Sequence, residues 1–263
     1  MSSGGGQTSR SHPAERASSR RRGDRLARIM RRAGLKPMTH SPWSLEILLE
    51  DDHLLAVVKP AGLATAHAPR DEPSVYALAR RTRPFVGIVS RLDLPVSGIV
   101  VLAKTRQAAA DLAGQFRDRT VAKEYIAVVE GRFPAAVGVW VDWDDTIARK
   151  DEEAGEGDDD ELPGREAHAR ARVVRRAGEV SLVELEPSTG RRHQLRVQLA
   201  NRRCPIVGDR RYGARLPFPG GIALHSRALA LDHPATGARL RLVAPPPMEW
   251  GERFPPFCRA GYV

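Results

Sequence analysis

Ser90-Arg91-Leu92-Asp93-Leu94-Pro95-Val96-Ser97-Gly98 decides how this 263-residue chain is read. The stretch lies between the apolar runs Phe85-Val86-Gly87-Ile88-Val89 and Ile99-Val100-Val101-Leu102-Ala103. Their β-branched content predicts two strands. The Pro and Gly predict a short loop that the flanking sheet holds in place. A carboxylate on such a loop, with an Arg two positions before it, is a candidate nucleophile or base. Asp residues in loops commonly bond their own backbone, so on local chemistry alone Asp93 reads first as a turn residue.

Working outward, Leu45 to Leu48 and His53 to Val58 read as strands, and the second runs into the turn Lys59-Pro60-Ala61-Gly62-Leu63. Asp71-Glu72-Pro73-Ser74 reads as a helix start leading into Val75 to Arg81. Thr105 can cap a helix to about Phe116, with Ala109, Leu112 and Phe116 at helical spacing. Lys123 to Val129 reads as a strand. Glu179 to Glu186 alternates and predicts a half-buried one. Ser188-Thr189-Gly190 is a turn into a short helix over Arg191 to Asn201. Leu224 to Leu231 and Leu240 to Val243 read as a closing strand pair. Many strands with few helices between them predict an α+β fold with a mainly antiparallel sheet.

Charge divides the chain. The total is +10, yet residues 1–42 hold ten Lys/Arg against two Asp/Glu, and residues 142–161 hold eleven Asp/Glu against two Lys/Arg. We expect a basic tail over 1–42, disordered over 1–23 and with a short helix from Asp24 to Ala33, then a folded domain over 43–263. The acidic stretch 142–165 predicts a solvent loop. Basic surface favours a polyanion, although a high-GC genome, which favours Arg over Lys, would produce the same excess. Two distant Cys argue against a disulfide framework. No run approaches the roughly 20 apolar residues of a membrane span, and the N-terminus lacks an apolar signal core. A cytoplasmic protein is the expectation. No His pair has the spacing of a metal-binding helix and no Cys accompanies them, so no zinc site is expected, and no phosphate-cradling Gly-Lys loop or Gly-x-Ser-x-Gly elbow occurs.

Several separated segments, in order, resemble the RluA-type branch of the RNA pseudouridine synthases. They are Asp51-Asp52 through Lys59-Pro60-Ala61-Gly62-Leu63; Arg91-Leu92-Asp93 with Ser97-Gly98 and Ala103-Lys104; and Lys123-Glu124-Tyr125. Thr189-Gly190-Arg191 with His193-Gln194-Leu195-Arg196-Val197 follows, then Gly208-Asp209 with Tyr212-Gly213, Leu224-His225 and His233-Pro234. The resemblance covers roughly residues 45–245. It implies an extended mixed, mainly antiparallel sheet with flanking helices and loops, expected as a monomer. It also implies isomerisation of uridine to pseudouridine in structured ribosomal or transfer RNA, without metal or cofactor.

By that resemblance Asp93 is the essential group at the sugar, Tyr125 lies against the uracil, and Arg196 pairs with Asp93 and keeps it ionised. Arg91 enters the stack where the uridine leaves, and Lys59, Arg191 and Arg192 contact phosphates. Taken alone, Tyr125 reads as a core strand aromatic, Arg196 as an exposed helix residue, Arg91 as a phosphate contact, and Lys59, Arg191 and Arg192 equally as solvated surface. Two positions depart from the family pattern: Ser90 stands where His is usual and Val96 where Thr is usual. These departures keep a second expectation open, a catalytically silent RNA-binding or RNA-folding factor on the same scaffold.

Overall fold

The computed structural model describes residues 44–66, 72–148 and 164–258. The expected basic tail lies outside the described residues. The strands are β1 (Glu46–Glu50), β2 (Leu54–Lys59), β3 (Gly87–Ile88), β4 (Ser97–Ala103), β5 (Ala122–Glu130), β6 (Trp140–Ile147), β7 (Arg165–Ala177), β8 (Val180–Pro187), β9 (Leu224–Asp232) and β10 (Arg239–Val243). They form one sheet in the order β1-β2-β4-β9-β5-β8-β7-β6, with β3 also on β4 and β10 also on β9. Every named strand pair is antiparallel except β4 with β9. The α+β expectation therefore holds.

That parallel contact is short, pairing Ser97 with His225 and Gly98 with Ser226. It joins two halves of the sheet, β1-β2-β4 on one side and β5-β8-β7-β6 on the other. Gly98 makes the approach feasible. Its φ is +121°, and a Cβ there would collide with the Ser226 backbone. The loop carrying Asp93 leads into Ser97, so the carboxylate sits at the seam between the halves. Tyr125 pairs with Ser226 in the same row. Gly98, Ser226 and Tyr125 thus occupy adjacent strands, about 5 Å apart each.

Helices pack around this seam. Helix α1 (Val75–Arg80) is capped by Ser74, whose side chain accepts from the Ala77 N–H. Thr105 caps α2 (Arg106–Arg117) in the same way, through the Ala108 N–H. Helix α3 (Gln194–Asn201) buries six consecutive residues, Gln194 through Leu199. Helices α4 (Met248–Arg253) and α5 (Pro255–Cys258) close the chain. Trp250, Phe254 and Phe257 are buried in the core around β5, β8 and β9.

Four sequence expectations need correction. Residues 142–147 belong to strand β6, paired with β7 from Trp140↔Arg172 to Ile147↔Arg165, so the acidic stretch is not all loop. Its charges alternate with apolar residues: Trp143 and Ile147 are buried while Asp142 and Asp144 face out. Strand β8 is mostly buried rather than half-buried, because it is an interior strand and Arg side chains from its neighbours cover it. Arg172 pairs with the buried Glu184 at 2.5 Å. The run from Phe85 to Val89 yields only the two-residue β3. The helix expected from Arg191 begins at Gln194, because His193 takes a left-handed conformation with φ 54° and ends the preceding turn.

Candidate active site

The Asp93 loop is a pinned turn. The Val96 N–H donates to the Asp93 carbonyl at 3.1 Å, placing Leu94 and Pro95 at the corners. Ahead of it, the Thr65 hydroxyl donates to the Leu92 carbonyl at 3.0 Å and accepts from the Leu92 N–H at 3.2 Å. Behind it, the Ile222 N–H donates to the Pro95 carbonyl at 3.1 Å. The two departures from the family pattern are absorbed into this framework. Ser90 bridges Val101, accepting from its N–H at 2.8 Å and donating to its carbonyl at 3.2 Å. Val96 is buried in the core.

Lys59 lies beneath the turn and is fully buried. Its ammonium donates to the carbonyls of Leu63 at 2.8 Å, Pro60 at 3.0 Å and Leu94 at 3.2 Å. Burial lowers its pKa to about 7, although the Asp93 charge works the other way. The expectation that Lys59 contacts phosphate is therefore corrected: no part of it reaches solvent, and its donors are spent on Pro60 and Leu63 of its own turn and on Leu94 of the loop that carries Asp93.

Arg196 arrives on α3. Its Nη1 donates to Asp93 Oδ2 at 3.2 Å. Its other donors face Asp209: Nε reaches Oδ2 at 2.7 Å and Nη2 reaches Oδ1 at 2.9 Å. This bidentate fork fixes the guanidinium plane. Burial disfavours the charge, but Asp209 and Asp93 more than offset it and hold the Arg196 pKa above its usual value. Tyr212 lies under the guanidinium, with its ring centroid 5.0 Å away. Its hydroxyl is 2.8 Å from His193 Nδ1, and His193 Nε2 is 3.8 Å from Asp93. Burial lowers the His193 pKa, which keeps the ring neutral near pH 7.

Asp93 itself is 26% exposed, so the carboxylate is held by protein on one side and open on the other. Tyr125 shares a hydrogen bond with the Ser226 side chain. Burial, with the Asp93 charge adding to it, pushes its pKa up to about 12, so it remains a phenol at neutral pH. Ser97 hydrogen-bonds His225 Nδ1 at 2.9 Å, and His225 Nε2 lies 3.2 Å from the Ala244 carbonyl. Burial lowers the His225 pKa to about 4. A carbonyl can only accept, so the ring proton sits on Nε2 and the Ser97 hydroxyl donates to Nδ1. This chain ties the parallel seam to the C-terminal segment.

Of the remaining predicted residues, Arg91 and Arg192 are exposed. Arg191 is half-buried and donates through Nε to the Glu166 carbonyl at 3.0 Å. Gln194 holds the preceding turn, accepting from the Thr189 hydroxyl at 2.7 Å and from the Arg191 N–H at 3.0 Å. Sequence reasoning assigned no role to Asp209, Thr65, His193 or Ser226. The signal for Asp209 was the Gly208-Asp209, Tyr212-Gly213 cluster, which lies on the short 3-10 turn Arg210–Tyr212 and its flanks. A groove of about 740 Å³ runs past Lys123, Asp144, His168, Arg170 and Glu186, away from Asp93. Within it Arg170 pairs with Glu186 and His168 with Asp144, and it holds none of the catalytic candidates just described. Among the described residues no cluster of His, Cys, Asp and Glu is arranged to hold a metal ion. No helix described is long and apolar enough to cross a membrane.

An aspartate at a sheet seam, gripped by an arginine from a distant helix and flanked by a partly buried tyrosine, matches a defined class of protein. Residues 53–201 match the family described as RNA pseudouridylate synthase. The chain belongs to this family, in its RluA-type branch. It is 36% identical over 215 residues to the dual-specificity RNA pseudouridine synthase RluA of Escherichia coli K12, covering 78% of this chain and 94% of that one. It is 36% identical over 227 residues to the ribosomal large subunit pseudouridine synthase D of Xylella fastidiosa, where the match spans 77% of this chain and 66% of the relative. Among solved structures, human RNA pseudouridylate synthase domain containing 1 superposes with a TM-score of 0.64 at 25% identity, covering 81% of this chain and 87% of that one. Human RNA pseudouridylate synthase domain containing 4 shares the fold, with a TM-score of 0.63 at 24% identity, covering 89% and 97%.

Proposed function

We propose that this chain isomerises uridine to pseudouridine within structured RNA, with Asp93 as the essential group. The observation that carries the reading is the 3.2 Å contact between Arg196 Nη1 and the partly exposed Asp93 carboxylate, with Arg196 itself clamped by Asp209. A cation so placed keeps Asp93 ionised, and the open side leaves an oxygen to meet the sugar. The reaction breaks the bond from C1′ to N1 and forms one from C1′ to C5. The C5 proton leaves and N1 gains one, so atoms and charge balance without an external reagent.

In this reading Asp93 acts at the sugar, Arg196 holds its charge, and the phenol of Tyr125 packs against the uracil. Asp209 is a positioning residue acting through Arg196. Arg91 enters the stack beside the displaced uridine, and Arg191 and Arg192 meet phosphates. Three relatives bear ribosomal large subunit in their names, which supports ribosomal RNA as the first substrate to test. The test is a map of pseudouridine across total RNA from cells with the gene, without it, and with Asp93→Asn. We expect one or a few sites to vanish in both the deletion and the variant. Identical maps in all three strains would remove the proposal and favour a silent RNA-folding factor.

A further inference from the structure

The corner of the Asp93 turn carries an apolar side chain that faces solvent. Leu94 is 56% exposed, while Val96, two residues on, is buried at 2%. Turn corners favour Gly, Pro, Asn, Asp and Ser, for conformational and hydrogen-bonding reasons that Leu does not share. Scattered surface leucines are ordinary, but this one cannot turn inward. Its carbonyl is held by the Lys59 ammonium at 3.2 Å and by the Gly62 N–H at 2.9 Å. The next residue is Pro95, with a fixed φ and a carbonyl bonded to the Ile222 N–H. Gly221 lets that backbone come close, because a Cβ there would strike Pro95. The side chain therefore projects to solvent from a rigid mount, on the residue that follows Asp93. Arg91, also exposed, lies on the other arm of the same loop.

A rigid apolar projection next to a reactive group suits a particular task. Extruding a base from a stack costs free energy, and apolar side chains can offset that cost by wedging between base steps. We propose that Leu94 is a wedge that packs against the base neighbouring the target uridine and stabilises the extruded state. This inference rests on the reading that the chain acts on a uridine in RNA. Arg91 supplies a cation at the same place, whereas Leu94 supplies apolar contact that is insensitive to salt.

The test uses the full-length protein and a stem-loop RNA containing the uridine located by the pseudouridine map. One version keeps that uridine in a base pair and another leaves it unpaired. With Leu94→Ala we expect kcat/KM on the paired version to fall about tenfold, the unpaired version to change little, and Leu94→Met to restore the paired rate. A second readout needs no turnover. With 2-aminopurine beside the target, wild type and Asp93→Asn should raise fluorescence on binding, while Leu94→Ala should bind without the rise. Equal losses on both RNAs, no loss on either, or a full fluorescence rise with Leu94→Ala would each overturn the wedge. If wild type raises fluorescence, Leu94→Ala does not, and no pseudouridine forms, the catalytic reading fails and the wedge stands. If the map yields no uridine, the reading fails and takes the wedge with it.

Discussion

Arg196 meets Asp93 through a single nitrogen at 3.2 Å, across 103 positions of sequence. The other two guanidinium nitrogens are taken by Asp209, so one nitrogen is left to face the loop. Two carboxylates on one buried cation explain how Arg196 stays charged at 6% exposure. They also divide the work: Asp209 orients the guanidinium, and Asp93 remains partly open.

Replacing Asp93 with Asn should abolish turnover, lowering it by about a thousandfold or more, since it removes the charged oxygen while keeping the shape. RNA binding should persist, because the basic groups are untouched. Single-turnover pseudouridine formation together with a filter-binding titration checks both halves.

Asp209→Asn should lower kcat by roughly ten- to a hundredfold with a small change in KM, as expected for a residue acting through Arg196. Asp209→Ala should also cost about 3–5 kcal/mol of stability, because it strips the buried cation of its main partner. Denaturant melts separate the two effects. A loss in the Asn variant confined to KM would point to an RNA contact instead.

His225 predicts an acid-sensitive fold. Its pKa falls from an ordinary 6.5 to about 4 in the native state, so below pH 6.5 the unfolded chain binds a proton that the folded chain does not. Stability from this group is fully present above pH 6.5 and declines toward pH 4, by about 3 kcal/mol in total. Melts of wild type and His225→Gln from pH 7 to pH 4 should converge as pH falls, with the wild type losing more.

Thr65→Val should loosen the loop from the front. The change removes the one side chain that satisfies both polar groups of the Leu92 backbone, at a cost of roughly 1–3 kcal/mol. Activity should fall while the overall fold remains. Hydrogen exchange at the Leu92 amide should rise, and no change there would refute the bracing role.

Much of the sheet was legible along the chain, because β-branched runs and turn residues are local signals. Strands β2, β4, β5 and β9, a helix start within Asp71–Ser74 and the cap Thr105 follow from local residue type and spacing. Strand β6 did not, since its outward acids read as a solvent run while Trp143 and Ile147 pack inward. Lys59 shows the same limit at the site. A lysine before a Pro-Gly turn reads as surface, and only the chain folded over it shows that its ammonium serves three carbonyls.

The amino-acid order by itself determined the α+β class, the loop bearing Asp93 and the ordered motifs that mark the family, because each depends on residues within a few positions of one another. Tertiary structure alone decided that Arg196 is shared between two carboxylates, that Lys59 is interior, and that Tyr125 lies one strand over from Ser226 and two from Gly98. Those relations depend on sheet order and on which groups are removed from water, and neither is written in local periodicity.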